Sequence, residues 1–399
     1  MNTTQRRPSM HLAAATLLAL GTLGAQGALA QDAQPIRLGV VTPLSGTYAP
    51  IGAQVKMGLD LALAEINAAG GIMGRKVELL YEDEEANPQV AVQKAEKLFQ
   101  QSKVDFLTGT VNSGSTLAVG QVAERNNKLI ATTVSFSDAI TGDKCSPNVF
   151  RVNAKAGQQS VALAAWLAKE KPGASLFLLG PDYEMGRSTV AAFKSAAEKR
   201  GIKPVGDLFA PLDSKDYSSY FGQIRAARPQ VFYTSTAGND TVRLFSQMSE
   251  YGMNKNLTMV GVSGAITAQN IKAIGKNAEG FVTGVGYSPE IDTPENKQFV
   301  EKFKRANKVL PDLYGADSYG VLYFYKAAVE KAQSTDTAKV RKAMEGLEWD
   351  TPQGRKTMRA ADHQAIQDMY VVRIQNGDFT IVSKVDGKDA IDASVCKRW

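Results

Sequence analysis

The stretch IRLGVVTPLSGTYAPIGAQVKMGLDLALAEINAAGG, residues 36–71, decides the fold. Its opening, Ile36-Arg37-Leu38-Gly39-Val40-Val41, is a short apolar run with the length of a buried strand. Residues 55–69 then carry apolar side chains at helical spacing and stop at Gly70-Gly71, where a left-handed cap forms easily. Between strand and helix lies a loop with Ser45-Gly46 and Tyr48. Downstream the alternation continues, with strand signals at 77–81, 106–109 and 129–134 and helix signals at 88–101 and 115–126. Short strands alternating with longer helices predict an α/β chain with a parallel sheet flanked by helices.

The same plan returns further along. Ser175-Leu176-Phe177-Leu178-Leu179 reads as a strand, 181–186 as a loop and 188–200 as a helix. The two loops agree in kind: Tyr48 precedes Gly52, Tyr183 precedes Gly186, and each glycine sits near the start of its helix. Two lobes of similar architecture follow. Phe150-Arg151-Val152-Asn153 and Gly284-Val285-Gly286-Tyr287 read as extended crossings between them, and 296–306 and 319–332 as further helices. Asn376-Gly377, flanked by apolar runs at 369–374 and 379–382, marks a hairpin at a sheet edge. The expected division is 31–151 and 288–355 for the first lobe, and 152–287 and 356–399 for the second, joined by a multi-strand hinge.

Upstream, Arg6-Arg7, an apolar run over 12–25 and the small-x-small ending Ala28-Leu29-Ala30 have the form of a cleavable signal peptide, residues 1–30. The run is too short to span a bilayer. A periplasmic destination is therefore expected. About 370 residues remain, enough for two domains. Loss of the two arginines lowers the formal charge from +6 to +4. Lys and Arg alternate with acids along the helices, as in Lys94-Ala95-Glu96-Lys97, the pattern of solvated faces, and no nucleic-acid motif is present. Cys145 and Cys396 are the two cysteines. In an oxidising compartment they form the natural disulfide pair, two separate buried thiols being the alternative.

Nearly the whole mature chain resembles the branched-chain amino acid (Leu/Ile/Val-binding) family of periplasmic substrate-binding proteins of ATP-driven importers. The likeness rests on residues 39–46, Ala64-Glu65-Ile66-Asn67-Ala68-Ala69-Gly70-Gly71-Ile72, 83–88, 109–116, Phe150-Arg151, and Asp182-Tyr183 with Gly186. It implies two Rossmann-like lobes that close on a ligand, no cofactor, and membrane permease subunits as partners of a monomer. It also places the ligand carboxylate in the loop Val111-Asn112-Ser113-Gly114-Ser115-Thr116, where hydroxyls and a helix N-terminus suit an anion. The alternative is that these residues only cap the helix. The next such loop is Val134-Ser135-Phe136-Ser137, with Phe136 where the family often has a small hydroxyl residue. Tyr48 and Tyr183 are expected to face the cleft from opposite lobes, and Gly238 lies in a second-lobe loop of the site. The family's amino-acid binders carry an acid where this chain has Ser263. A buried ammonium without a carboxylate is costly, so the expected ligand is an organic acid, first of all an aromatic one. A branched-chain or other neutral amino acid follows, with Asp240 as a substitute anion, and then an amide.

Reactive groups are scarce. His363 is the one histidine of the mature chain, and its polar surroundings read as exposed and without the partners of a triad. No phosphate-binding loop or complete dinucleotide fingerprint occurs. Glu82-Asp83-Glu84-Glu85 lacks the spacing of a calcium loop and reads as a solvated turn. No metal site and no catalytic residue are expected. A ligand-sensing receptor domain and an exported hydrolase are the alternatives to transport.

Overall fold

The computed structural model describes residues 34–397. The expected signal peptide lies outside them. Two mixed sheets flanked by helices form the two lobes. The first has eight strands, in the order Glu348–Thr351, Gly354–Arg359, Gln364–Ile366, Val149–Arg151, Leu129–Thr132, Phe106–Thr108, Ile36–Thr42, Val77–Asp83. The second has seven, in the order Asp378–Val385, Met369–Gln375, Val282–Val285, Thr258–Gly261, Val231–Thr234, Ser175–Pro181, Lys203–Ala210. Numbered within its own lobe, the parallel part of each sheet runs 2-1-3-4-5, so the repeat legible in two loops extends to the whole topology. The antiparallel strands come late in the chain, where hairpins replace crossover helices.

The close packing of the two repeated loops explains their glycines. A Cβ on Gly52 would lie 1.8 Å from Pro43 O, and one on Gly186 would lie 1.9 Å from Pro181 O. In both lobes the first turn of the helix therefore crosses directly over the end of the strand. The helices start earlier than their periodicity indicates, at Ala49 and Glu184, because neither begins with a side-chain cap. Tyr48 and Tyr183 occupy the N-cap positions of these two equivalent helices. The helix Ala156–Glu170 and the strands Lys203–Ala210 and Val231–Thr234, which sequence reading leaves unassigned, complete the second lobe.

Sheet membership shifts one expected boundary. Gly354–Arg359 and Gln364–Ile366 belong to the first sheet, so the chain leaves that lobe after Ile366 and not at 356. Lys356 is buried there, donating to Val152 O at 2.9 Å and pairing with buried Asp317 at 2.5 Å. His363 also departs from expectation. It is buried, stacked on Phe150 with ring centroids 3.9 Å apart, and burial pushes its pKa down to about 4. The apolar neighbours that bury it are distant in sequence, so the local polar stretch misleads. Cys145 and Cys396 form a disulfide with Cα atoms 5.8 Å apart, tying the C-terminal tail to the first lobe. Closing so long a loop stabilises the fold by at most about 5 kcal/mol.

Candidate functional site

In an open α/β sheet with this strand order, the loops after strands 1 and 3 diverge and leave a crevice. Both lobes have such a crevice, and side chains from the two line one space. Tyr48, Ile51, Val111, Val134, Phe136 and Tyr314 come from the first lobe, and Tyr183, Met185 and Ala237 from the second. The Tyr48 and Tyr183 hydroxyls meet at 2.7 Å across the gap, with ring centroids 6.4 Å apart. Burial holds both phenols above their ordinary pKa. Further bonds cross between the lobes beside them: Ser137 Oγ donates to Glu184 Oε1 at 2.8 Å, and the Asp138 N–H donates to Ser188 Oγ at 2.9 Å.

The loop at 111–116 divides its residues between structure and cleft. Asn112 is the helix cap, its Oδ1 accepting from the Gly114 and Ser115 N–H groups at 2.8 and 3.3 Å while its Nδ2 donates to Ala86 O. The cap function therefore falls on Asn112, and Ser113 is released from it. Ser113 Oγ accepts the Ser137 N–H at 3.3 Å, and among the described residues its own proton has no acceptor. Ser115 lies buried beside Glu84.

Glu84 corrects the reading of the acidic run as solvated. It is fully buried, and its Oε1 accepts the N–H groups of Val111 at 2.7 Å and Asn112 at 3.3 Å. Burial pushes its carboxyl up to about 7 against the pull of these donors. Its neighbour Asp83 also has a structural role, accepting from the Leu44 N–H and Ser45 Oγ.

The second expected loop is divided in the same way. Ser135 Oγ is engaged inside the first lobe, near Thr110 O, Val111 O and Thr116 Oγ1 at hydrogen-bonding distance, so it stitches two loops together. Phe136 lines the cleft and stacks on Tyr314 with centroids 6.2 Å apart. On the second lobe, Gly238 has φ +59°, and a Cβ there would lie 2.6 Å from Thr47 O of the first. Ser263 is buried, its N–H bonded to Gln159 Oε1 at 3.1 Å, and its hydroxyl has no partner among the described residues. Asp240 is already occupied: Oδ2 accepts the Asp213 N–H at 2.9 Å and Oδ1 pairs with Arg243.

Sequence reading missed Tyr314, Met185, Ile51 and Ala237. Tyr314 follows the Asp312 cap of the helix Leu313–Ala332, and a Cβ on Gly264 (φ +76°) would stand 2.1 Å from its hydroxyl. Asp312 was the available signal, an N-cap before an apolar run. Among the described residues no cluster of His, Cys, Asp or Glu is suited to a metal, and no helix is long and apolar enough to cross a membrane. The result is an aromatic and apolar slot with a tyrosine hydroxyl from each lobe, and the serine-bearing loops at 111–116 and 134–137 contribute Val111, Val134 and Phe136 to its first-lobe side.

A family model described as periplasmic binding protein matches residues 35–378. Leu/Ile/Val-binding protein homolog 3 of Brucella melitensis biotype 1 is 29% identical over 311 residues, 77% of this chain and 83% of its own length. Homolog 6 of the same organism is 27% identical over 372 residues, 92% of this chain and 93% of its own. Among solved structures, the solute-binding protein of an ABC transporter from R. palustris, in complex with benzoate, is similar with a TM-score of 0.83 and 25% identity. The match covers 91% of this chain and 99% of that one.

Proposed function

We propose, from the premise that this chain belongs to the periplasmic binding protein family, that its ligand is a small aromatic carboxylate. As a member of that family the protein is a solute-binding component of ABC import. The observation that carries the ligand class is the asymmetry of the cleft. Phe136, Tyr314, Tyr48 and Tyr183 supply aromatic walls, Ser113 offers a donor, and the position of Ser263 lacks the acid that an ammonium would need. The benzoate held by the similar R. palustris protein supports the same reading.

Ser113 and the Phe136 N–H receive the carboxylate in the first lobe. The second lobe then closes through Tyr183 and Met185 over the ring, and the closed form gains contacts unavailable to the open one. The protein works in the periplasm after signal cleavage, as a monomer without catalytic activity, and presents its closed surface to the permease subunits. A neutral amino acid is the second reading, favoured by relatives named for leucine, isoleucine and valine. It requires an anion for the ammonium, and Asp240 is held by Arg243.

Thermal shifts of the mature protein test the choice, with benzoate, leucine, valine and benzamide as probes. At about a hundred times its dissociation constant a ligand adds about 2.7 kcal/mol, a shift of several degrees. A shift with benzoate is expected. A shift with leucine or valine alone would replace the aromatic reading by the amino-acid one.

A further inference from the structure

Arg151 is the largest fully buried side chain among the described residues, at 0% exposure. Its guanidinium makes four hydrogen bonds, none with a carboxylate, and Asp138 and Asp362 act on it only at longer range. Nε donates to Gln364 Oε1 at 2.6 Å, Nη1 to Ser137 O at 2.6 Å and Ser135 O at 3.3 Å, and Nη2 to Thr141 Oγ1. The other fully buried cation, Lys356, has Asp317 beside it. Burial pushes the Arg151 pKa down to about 10, which leaves the group charged at neutral pH. A buried charge without a counter-ion costs several kcal/mol unless something nearby offsets it.

The peptides that Arg151 grips belong to the cleft loop. In a trans peptide the carbonyl and the following N–H point in opposite directions, and the chain has no cis peptide among its described residues. Drawing Ser135 O and Ser137 O toward the guanidinium therefore turns the N–H groups of Phe136 and Asp138 away from it. The Asp138 N–H meets Ser188 Oγ of the second lobe, and the Phe136 N–H has no acceptor among the described residues, while its side chain lines the cleft. The intervening Ser137 N–H donates to Ser113 Oγ. A buried cation thus stands behind two peptide dipoles: the positive end of one, the Asp138 N–H, is taken by Ser188, and that of the other, the Phe136 N–H, is left open beside the cleft-lining ring, the arrangement that stabilises an anion.

We propose that Arg151 is a positioning residue that makes this cleft select a carboxylate over its neutral isostere, acting through the peptides of residues 135–138. The inference rests on the reading of the first-lobe loops as the carboxylate site, and it holds whether the rest of the ligand is an aromatic ring or an amino acid.

The test is calorimetric titration of wild type, Arg151→Gln and Arg151→Lys with two matched pairs, benzoate with benzamide and leucine with leucinamide. Wild type is expected to prefer the acid of whichever pair it binds. Arg151→Gln should reduce affinity for the acid by about tenfold or more while changing that for the amide by no more than about threefold. Arg151→Lys, which keeps the charge and loses the fork, should weaken both members and restore most of the preference. Circular dichroism identifies a variant that does not fold; if Arg151→Gln fails in this way, the acid-to-amide ratio of Arg151→Lys decides. A lysine variant without preference, a wild type that holds acid and amide equally, or equal losses for both in Arg151→Gln would each overturn the proposal. Binding of leucine with no response to benzoate would instead overturn the aromatic reading and leave Arg151 to be judged on the leucine pair.

Discussion

The two walls of the cleft come from the same topology and differ in chemistry. After strands 1, 3 and 4 of the first lobe stand Ser45, Ser113, and Ser135 with Ser137, and Glu84 and Arg151 are buried among these loops. At the equivalent places in the second lobe stand Tyr183, Met185, Ala237 and Gly238, and the nearest acid, Asp240, is paired within its own lobe. A repeated fold thus supplies one wall whose loops carry serine hydroxyls and one whose loops carry Tyr183, Met185, Ala237 and Gly238; on the proposed reading the first holds the polar end of the ligand and the second completes the enclosure on closing. Fold duplication places the loops, and their residues divide the work between them.

If the second wall acts by closing, its glycines should matter for binding as well as for folding. Gly264→Val would push a side chain into the Tyr314 hydroxyl at a position with φ +76°. Affinity is expected to fall by about a hundredfold through loss of the closed state. Small-angle scattering should then show a more open protein even at saturating ligand; a ligand-bound variant as compact as wild type would break the contrast between the walls.

The first wall should show its buried charge in stability. Glu84 titrates near 7 in the fold and near its ordinary value when unfolded, so its protonated form favours the native state. Stability is full below the unfolded pKa and is lost as pH rises through the folded one. Between pH 5 and 8 this contributes a loss of about 2 kcal/mol, which Glu84→Gln should remove. Urea denaturation of both proteins at the two pH values measures it, the difference between them isolating Glu84 from Asp312, whose buried carboxyl is also pushed up to about 7.

Smaller effects separate the walls further. Ser113→Ala should weaken binding of a carboxylate by about tenfold, one hydrogen bond to a charged group, with an unchanged melting temperature of the free protein. Tyr48→Phe removes only the hydroxyl that meets Tyr183 and should cost about threefold. Equilibrium titration resolves both, and a larger loss for Tyr48→Phe than for Ser113→Ala would reverse their assigned weights.

Local pattern was enough for the strand Ile36–Thr42, the paired tyrosines before Gly52 and Gly186, and the hairpin at Asn376-Gly377, because each depends on neighbours within a few residues. The family resemblance, rather than local pattern, pointed to Ser113, Phe136 and Tyr183; Phe136 and Tyr183 line the slot, and Ser113 lies in the neighbouring loop at 111–116. Local pattern failed at Glu84, His363 and the segment 354–366, whose surroundings come from distant parts of the chain. An acidic run reads as solvated until the Val111 and Asn112 N–H groups are brought against it. A histidine in a polar stretch reads as exposed until Phe150 covers it.

By itself, then, the sequence determined that this is a duplicated α/β chain with two loops facing each other and no acid at Ser263. The first of these follows from residue type and periodicity, and the other two from the family resemblance. Only the tertiary structure decided that Asn112 caps the helix while the Ser113 proton is left without an acceptor among the described residues, that Ser135 is a stitch, that Tyr314 forms a wall, and that Arg151 stands behind the loop at 135–138 with no carboxylate in hydrogen-bonding reach. Each of these depends on which hydrogen-bonding partners arrive from elsewhere in the chain, and a one-dimensional pattern does not contain that information.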